Sequence, residues 1–366
     1  MRIRIILFIF FISFLTHVKA QSDSTKFTDN LFVSVTYGNG ILMAHRASLK
    51  ALINDYTYYT TIEIGTATYG KRPWESLFKY PMLGVGIYRG ANGNNNLFGH
   101  TTALYGFVSS PYHNEKQVSF GYKFGGGMAY VEKPFDIDQN IYNIVIGSHL
   151  NVYIHLAFDL KLKLFNDKVF INTGLGFTHQ SNGKIQTPNL GFNILDLHFT
   201  AAYFLGKQSK KIYKAFPQRK KHTFVGVITG GAKEYNEPNL GKFFAGSIIL
   251  DYEYSVMKKS SWGAGLDFFY DGIIHDKYKT EQNSRALMHA GRFGAHLGYV
   301  FNYNKVGFIV QLGSYINPYY NDISILYSRI GIRAKVSKHL IANITMKTHY
   351  AKADIVEFGL AYYFSL

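Results

Sequence analysis

The run from Val169 to Gly183 reads VFINTGLGFTHQSNG. One face of it carries Val169, Ile171, Thr173, Leu175 and Phe177, and then the same face presents His179 and Ser181. Residues i and i+2 of an extended chain lie roughly 6.5 to 7 Å apart, a gap that an imidazole and a serine side chain can close between them. These two residue types support nucleophilic acyl transfer, with Ser181 attacking and His179 taking its proton. A third group is needed to hold the imidazole tautomer. The following apolar strand, NILDLHFTAAYFL, has Asn193 on the face of Leu195, Leu197 and Phe199, whereas Asp196 and His198 point the other way. If the two strands form a hairpin across residues 182 to 192, Asn193 meets His179 and can serve as that orienter.

An HxS pair alone is cheap in a chain with 14 histidines. Its place at the end of a strand, on the apolar face and opposite an asparagine, favours catalysis, because polar groups at membrane depth are costly and usually functional. The oxyanion of an attacked ester needs donors. The candidates are the backbone N–H of Asn182 or Gly183 and the side chain of Asn189, although NG and PN are also ordinary turn dipeptides. Lys184, Arg46 and Lys50 could hold lipid phosphates, but a solvated surface accounts for them better.

The elements that must position these residues are strands. In LNVYIHLAFDLKLKL, residues 150 to 164, apolar even positions alternate with odd ones that include Asn151, His155, Asp159, Lys161 and Lys163. Such strict alternation outruns an ordinary soluble strand of about five or six residues and suits a wall with hydrocarbon on one side. Segments of this kind start near residues 31, 57, 81, 100, 116, 148, 168, 193, 221, 242, 260, 286, 305, 323, 339 and 352. The expected fold is therefore all-β, one transmembrane antiparallel β-barrel of the outer-membrane type over residues 21–366 with about 16 strands.

Short periplasmic turns then fall at FNDK, MKKSS, NYNK and VSKH, and longer external loops at 133–147, 181–192 and 271–285. Two stretches are long for periplasmic turns, KRPWESLFKYP (71–81) and KQSKKIYKAFPQRKKH (207–222), and would lower the strand count to 14 or 12 if misplaced. GILMAHRASLKALIND (40–55) reads as a short amphipathic helix on the external side. The last stretch, EFGLAYYFSL, is similar to the aromatic C-terminal strand of outer-membrane barrels.

Bulk properties agree. The first twenty of the 366 residues have Arg2 and Arg4, an apolar run from Ile5 to Leu15, and small residues at Val18 and Ala20, the pattern of a cleaved export signal. After them no apolar run reaches the length of a membrane helix, about eighteen residues. The 29 Tyr and 30 Phe supply the aromatic girdles of a barrel. Zero cysteines exclude a disulfide framework, a thiolate nucleophile and a thiolate metal site. The formal charge of +16 suits an anionic membrane surface, and an exported chain seldom meets nucleic acid.

HxSN followed by PNxG, here Pro188, Asn189 and Gly191, resembles the lipid A deacylase family called PagL. That resemblance implies a barrel that removes an ester-linked 3-hydroxyacyl chain from lipid A. HQSNG with an asparagine fourteen positions after the histidine also resembles outer-membrane phospholipase A, whose family uses a His, Ser and Asn triad on the lipid-facing wall. The deacylase family has a glutamate where this chain has Asn193. The phospholipase family binds calcium with an acidic loop residue, and the loop KIQTPNLGF here has no carboxylate, so no metal or other cofactor is expected. The stretch starting at WESLFKYPMLGVGIYRG is similar to larger proteins called acyloxyacyl hydrolases.

The expected function is an outer-membrane serine esterase acting on lipopolysaccharide, with glycerophospholipid as the alternative substrate. The competing reading is a passive, porin-like barrel with a wide polar lumen. Oligomeric state is not legible.

Overall fold

The computed structural model describes residues 26–112, 117–235, 241–280, 286–316, 324–350 and 352–366. The export signal expected over residues 1–20 lies outside the described residues. Sixteen antiparallel strands are present among the described residues. They form two closed barrels of eight, which corrects the expectation of a single barrel over 21–366.

The first barrel contains β1 (Leu31–Leu42), β2 (Thr57–Ala67), β3 (Met82–Ala91), β4 (His100–Pro111), β5 (Val118–Val131), β6 (Leu150–Leu164), β7 (Val169–Ser181) and β8 (Phe192–Phe204). It closes by pairing β8 with β1, Tyr37 facing Phe199. The second contains β9 (His222–Glu234), β10 (Lys242–Met257), β11 (Ser260–Asp271), β12 (Gly291–Tyr303), β13 (Val306–Tyr315), β14 (Leu326–Lys335), β15 (Leu340–His349) and β16 (Lys352–Ser365). It closes by pairing β16 with β9, Leu360 facing Ile228. Closure leaves no unpaired edge, which a bilayer would penalise by several kcal/mol for each bare backbone group.

The alternating residues behave as a membrane wall requires. Ile62, Leu104, Leu175 and Leu197 on the first barrel, and Leu250 and Leu297 on the second, point outward and are exposed. So much apolar surface suits hydrocarbon rather than water. No helix among the described residues is long and apolar enough to cross a membrane.

An eight-stranded barrel has an interior just wide enough for side chains to fill. In the second barrel Arg329 is fully buried, with Nε 2.7 Å from Glu357 and Nη1 2.9 Å from Asp267. His296 sits between Asp251 at 2.8 Å and Asp267 at 2.5 Å. In the first barrel His198 bridges Asp159 at 2.7 Å and Asp196 at 3.1 Å, and Tyr59 donates to Asp196 at 2.9 Å. A cavity of about 200 Å³, lined in part by Lys161, Lys163 and Lys211, remains near the short-turn end of the first barrel. Among the described residues these charged side chains occupy the two interiors, where a passive porin needs a wide polar lumen.

The two awkward stretches of the sequence are the parts that join the barrels. The segment between β2 and β3 holds helix α2 (Pro73–Leu77), started by a proline in its first turn, with Glu75 accepting the Gly70 N–H at 2.9 Å. The helix end packs against the second barrel: Phe78 and Tyr303 lie 4.1 Å apart between ring centres, and Trp74 lies 5.8 Å from Tyr303. The basic stretch that follows β8 is the linker. It is tied to the same turn by Ile212 N–H to Tyr69 O at 2.7 Å and Ser76 Oγ to Lys214 O at 2.6 Å. Farther along the barrel walls, Phe124 and Phe308 meet at 5.1 Å.

The helix expected over residues 40–55 is shorter. Strand β1 runs on to Leu42, and helix α1 covers only Ala47–Lys50, with Leu49 buried in a plug of Leu42, Phe98, Ile146 and Phe192. Strand β12 starts at Gly291, after the short helices α3 (Gly272–Thr280) and α4 (Ala286–Ala290), so the strand expected from residue 286 begins later.

Candidate active site

His179 and Asn193 face each other directly in the β7–β8 pairing. The Nδ1 of His179 is 2.7 Å from Asn193 Oδ1, and its Nε2 is 2.9 Å from Ser181 Oγ. An amide oxygen can only accept, so Nδ1 carries the proton and donates to Asn193. Nε2 is then the lone-pair nitrogen, and the Ser181 hydroxyl donates to it. All three side chains share the outward face of the barrel wall, beside Val152 and Ile154, which face Ser181 and His179 on β6. Ser181 is buried at 8% exposure, while His179 and Asn193 are half-buried.

The strands that carry them are fixed from inside. Gln180 accepts from Thr101 Oγ1 at 2.8 Å, and Thr178 Oγ1 lies 2.9 Å from His155 Nδ1. The lumenal pair His198 and Asp196 stays on the opposite side of the wall from the outward set.

The loop after Ser181 is organised by Asn182. Its side chain donates to Ser148 Oγ and to Gln186 O, both at 2.9 Å, and accepts the Lys184 N–H at 3.0 Å. Its backbone N–H donates to Asn189 Oδ1 at 3.0 Å. Asn182 and Asn189 thus hold the loop, and the Asn182 N–H is already engaged. Gly183 has φ +63, and a Cβ there would lie 2.0 Å from Val356 Cγ2 on the second barrel. Gly191 has φ +75, and a Cβ there would meet Gln180 O at 2.9 Å and His179 Cε1 at 3.2 Å. Loop 132–149 clasps the far end, where Val145 O accepts the Leu190 and Gly191 N–H groups at 2.8 and 3.0 Å.

Of the cations considered for lipid phosphate, Arg46 and Lys50 are exposed and Lys184 is half-buried. Burial, followed by the Lys233 ammonium of the second barrel, lowers the pKa of Lys184 from that of a free lysine. Its carbonyl oxygen accepts the Glu234 N–H at 3.3 Å, which sets Lys184 at the seam between the barrels.

The chain matches the family model for lipid A 3-O-deacylase (PagL) over residues 59–202, which include the whole His179, Ser181 and Asn193 set. Over these residues the chain belongs to the lipid A 3-O-deacylase family. A second model, the C-terminal domain of acyloxyacyl hydrolase, matches residues 222–366, which make up the second barrel. The gap between the two matches falls on the linker. With this membership the protein is an outer-membrane hydrolase acting on an acyl ester of lipid A, and lipopolysaccharide is its substrate.

Among solved structures, the outer membrane enzyme PagL is similar at 16% identity, covering 46% of this chain and 97% of that one, with a TM-score of 0.30. A triple mutant of the Rhodopseudomonas blastica porin is similar at 7% identity, covering 91% and 99%, with a TM-score of 0.18. The chain matches no curated protein.

One residue at the site was missed from the sequence. Glu234 lies at the end of β9 on the outward parity of Phe224 and Ile228, yet it is buried at 4% exposure. Its carboxylate accepts the Thr187 N–H of the first barrel's loop at 2.6 Å. The signal was available: a carboxylate breaks an apolar strand face near a rim, as His179 and Ser181 do.

Proposed function

We propose that Ser181, His179 and Asn193 are the nucleophile, general base and orienter of the deacylase. The observation that carries this reading is the continuous hydrogen-bonded row from Asn193 Oδ1 through the imidazole to Ser181 Oγ on the lipid-facing wall.

A lipid A molecule held against Val152 and Ile154 presents an acyl carbonyl to Ser181. As the Oγ–carbon bond forms, the hydroxyl proton passes to His179 Nε2. The tetrahedral oxyanion is met by the Gly183 N–H and the Asn189 side-chain N–H, the candidate donors left once the Asn182 N–H is engaged by Asn189 Oδ1. Collapse breaks the bond to the sugar oxygen, and the imidazolium returns the proton to that leaving alkoxide. Water, deprotonated by His179, then attacks the acyl-serine; the fatty acid leaves and Ser181 regains its proton. Asn193 stays neutral throughout and holds Nδ1–H, so that Nε2 always faces the serine. The acyl chain removed is the 3-O-linked hydroxyacyl group, and residues 1–20 are the export signal, leaving Gln21 as the first residue of the mature chain.

The test is mass spectrometry of lipid A and phospholipids from Gram-negative cells carrying the wild type or Ser181→Ala, with equal amounts folded in the outer membrane. Loss of one hydroxyacyl chain from lipid A with the wild type alone is expected. Lysophospholipid in its place would assign the site to phospholipid, and unchanged deacylation by Ser181→Ala would refute the nucleophile.

A further inference from the structure

The second barrel touches the first at the catalytic loop, and the contact is polar and specific. Thr187 N–H donates to Glu234 Oε2 at 2.6 Å, and Thr187 Oγ1 donates to Tyr235 O at 2.8 Å. The Glu234 N–H donates to Lys184 O at 3.3 Å. Beside them Val356, outward-facing on β16, is buried at 7% exposure against Gly183. An outward carboxylate near a membrane rim is costly unless it is paired. Here its partner is a backbone N–H in the loop that follows the nucleophile.

Thr187 stands between two residues that both act on Asn182. Gln186 O accepts the Asn182 side-chain N–H at 2.9 Å, and Asn189 Oδ1 accepts the Asn182 backbone N–H at 3.0 Å. Asn182 in turn lies between Ser181 and Gly183. A shift of Thr187 is therefore transmitted to the peptide that would present the Gly183 N–H to an oxyanion.

We propose that Glu234 is a positioning residue for deacylation, and that the second barrel serves as a built-in clamp on the active-site loop of the first. The proposal rests on the reading of Ser181 as nucleophile. Glu234 touches neither lipid nor the reacting atoms; it acts through Thr187. The second barrel then contributes to rate by fixing the loop.

The experiment uses the full chain, purified folded, with lipopolysaccharide as substrate and a fluorophosphonate to label Ser181. Glu234→Ala should lower kcat and the labelling rate by about tenfold to a hundredfold, the scale of an ångström-sized misplacement, with KM within about twofold. Glu234→Gln keeps an oxygen acceptor for the Thr187 N–H and should restore most of kcat. A purely structural role would lower the folded fraction and leave kcat per folded molecule unchanged.

Should Glu234→Ala fail to fold, Thr187→Val removes the bond to Tyr235 O from the loop side. It should lower kcat severalfold, with recovery in Thr187→Ser. Wild-type kcat in both Glu234→Ala and Thr187→Val, or equal loss in the Ala and Gln variants of Glu234, overturns the proposal. An active Ser181→Ala enzyme would instead remove the catalytic reading beneath it, so the two failures are told apart.

Discussion

His179 and Asn193 are fourteen residues apart in sequence and directly opposite in the β7–β8 register, with Nδ1 and Oδ1 2.7 Å apart. The proposed orienter is therefore held by the backbone ladder itself, and it is a neutral amide where a carboxylate would carry charge. Asn193→Ala should lower kcat by about 10²- to 10⁴-fold, because the imidazole loses the partner that fixes its tautomer. Asn193→Glu should retain activity, since a carboxylate oxygen accepts the same proton. Steady-state deacylation rates decide this, and wild-type kcat in Asn193→Ala would show that the amide does not orient the base.

Gly183 is required twice, by its φ of +63 and by Val356. Gly183→Ala should destabilise the fold by about 1–3 kcal/mol, the cost of a non-glycine residue held in a sparsely populated backbone region. It should also lower kcat. Val356→Ala in the same chain should recover part of the loss, which a double-mutant cycle of denaturant unfolding measures. Simple additivity of the two variants would show that the barrels do not meet there.

Arg329 is buried with side-chain exposure of 0%, between Glu357 and Asp267. Arg329→Met leaves Glu357 without its ion-pair partner and Asp267 with His296 alone, and should cost about 3–5 kcal/mol of stability, as removal of one partner from a buried ion pair does. Unfolding of the purified barrel in denaturant measures it. A loss below about 1 kcal/mol would mean that the carboxylates take up protons at little cost.

Chelation should leave the rate unchanged. The loop KIQTPNLGF after Ser181 has no carboxylate, and Glu234, which the second barrel brings to it, already accepts the Thr187 N–H. Hard cations such as calcium want charged oxygen ligands. Assays in EDTA and in added calcium test this, and a calcium-dependent kcat would contradict it.

Much of the site was legible because a strand has a period of two. Carrying the parity through VFINTGLGFTHQS and NILDLHF puts His179, Ser181 and Asn193 on one face before any coordinates are seen. The roles within the loop were less legible. Asn182, Gly183 and Asn189 look alike as turn formers, and only the bonds they make show that the Asn182 N–H is engaged by Asn189 Oδ1 while the Asn182 side chain ties the loop to Ser148. Glu234 stayed hidden because its partner, Thr187, is 47 residues away and belongs to another barrel.

The strand positions and their inward and outward faces were determined by the sequence alone, since alternation is a local property and does not depend on which strand pairs with which. The number of barrels was decided by tertiary structure. The same sixteen alternating segments satisfy one large ring or two small ones, and the choice lies in two non-local pairings, β8 with β1 and β16 with β9. Those pairings turn the basic stretch after β8 from a periplasmic turn into a linker. They also turn the outward faces of Glu234 and Val356 from lipid contacts into a clamp on the catalytic loop.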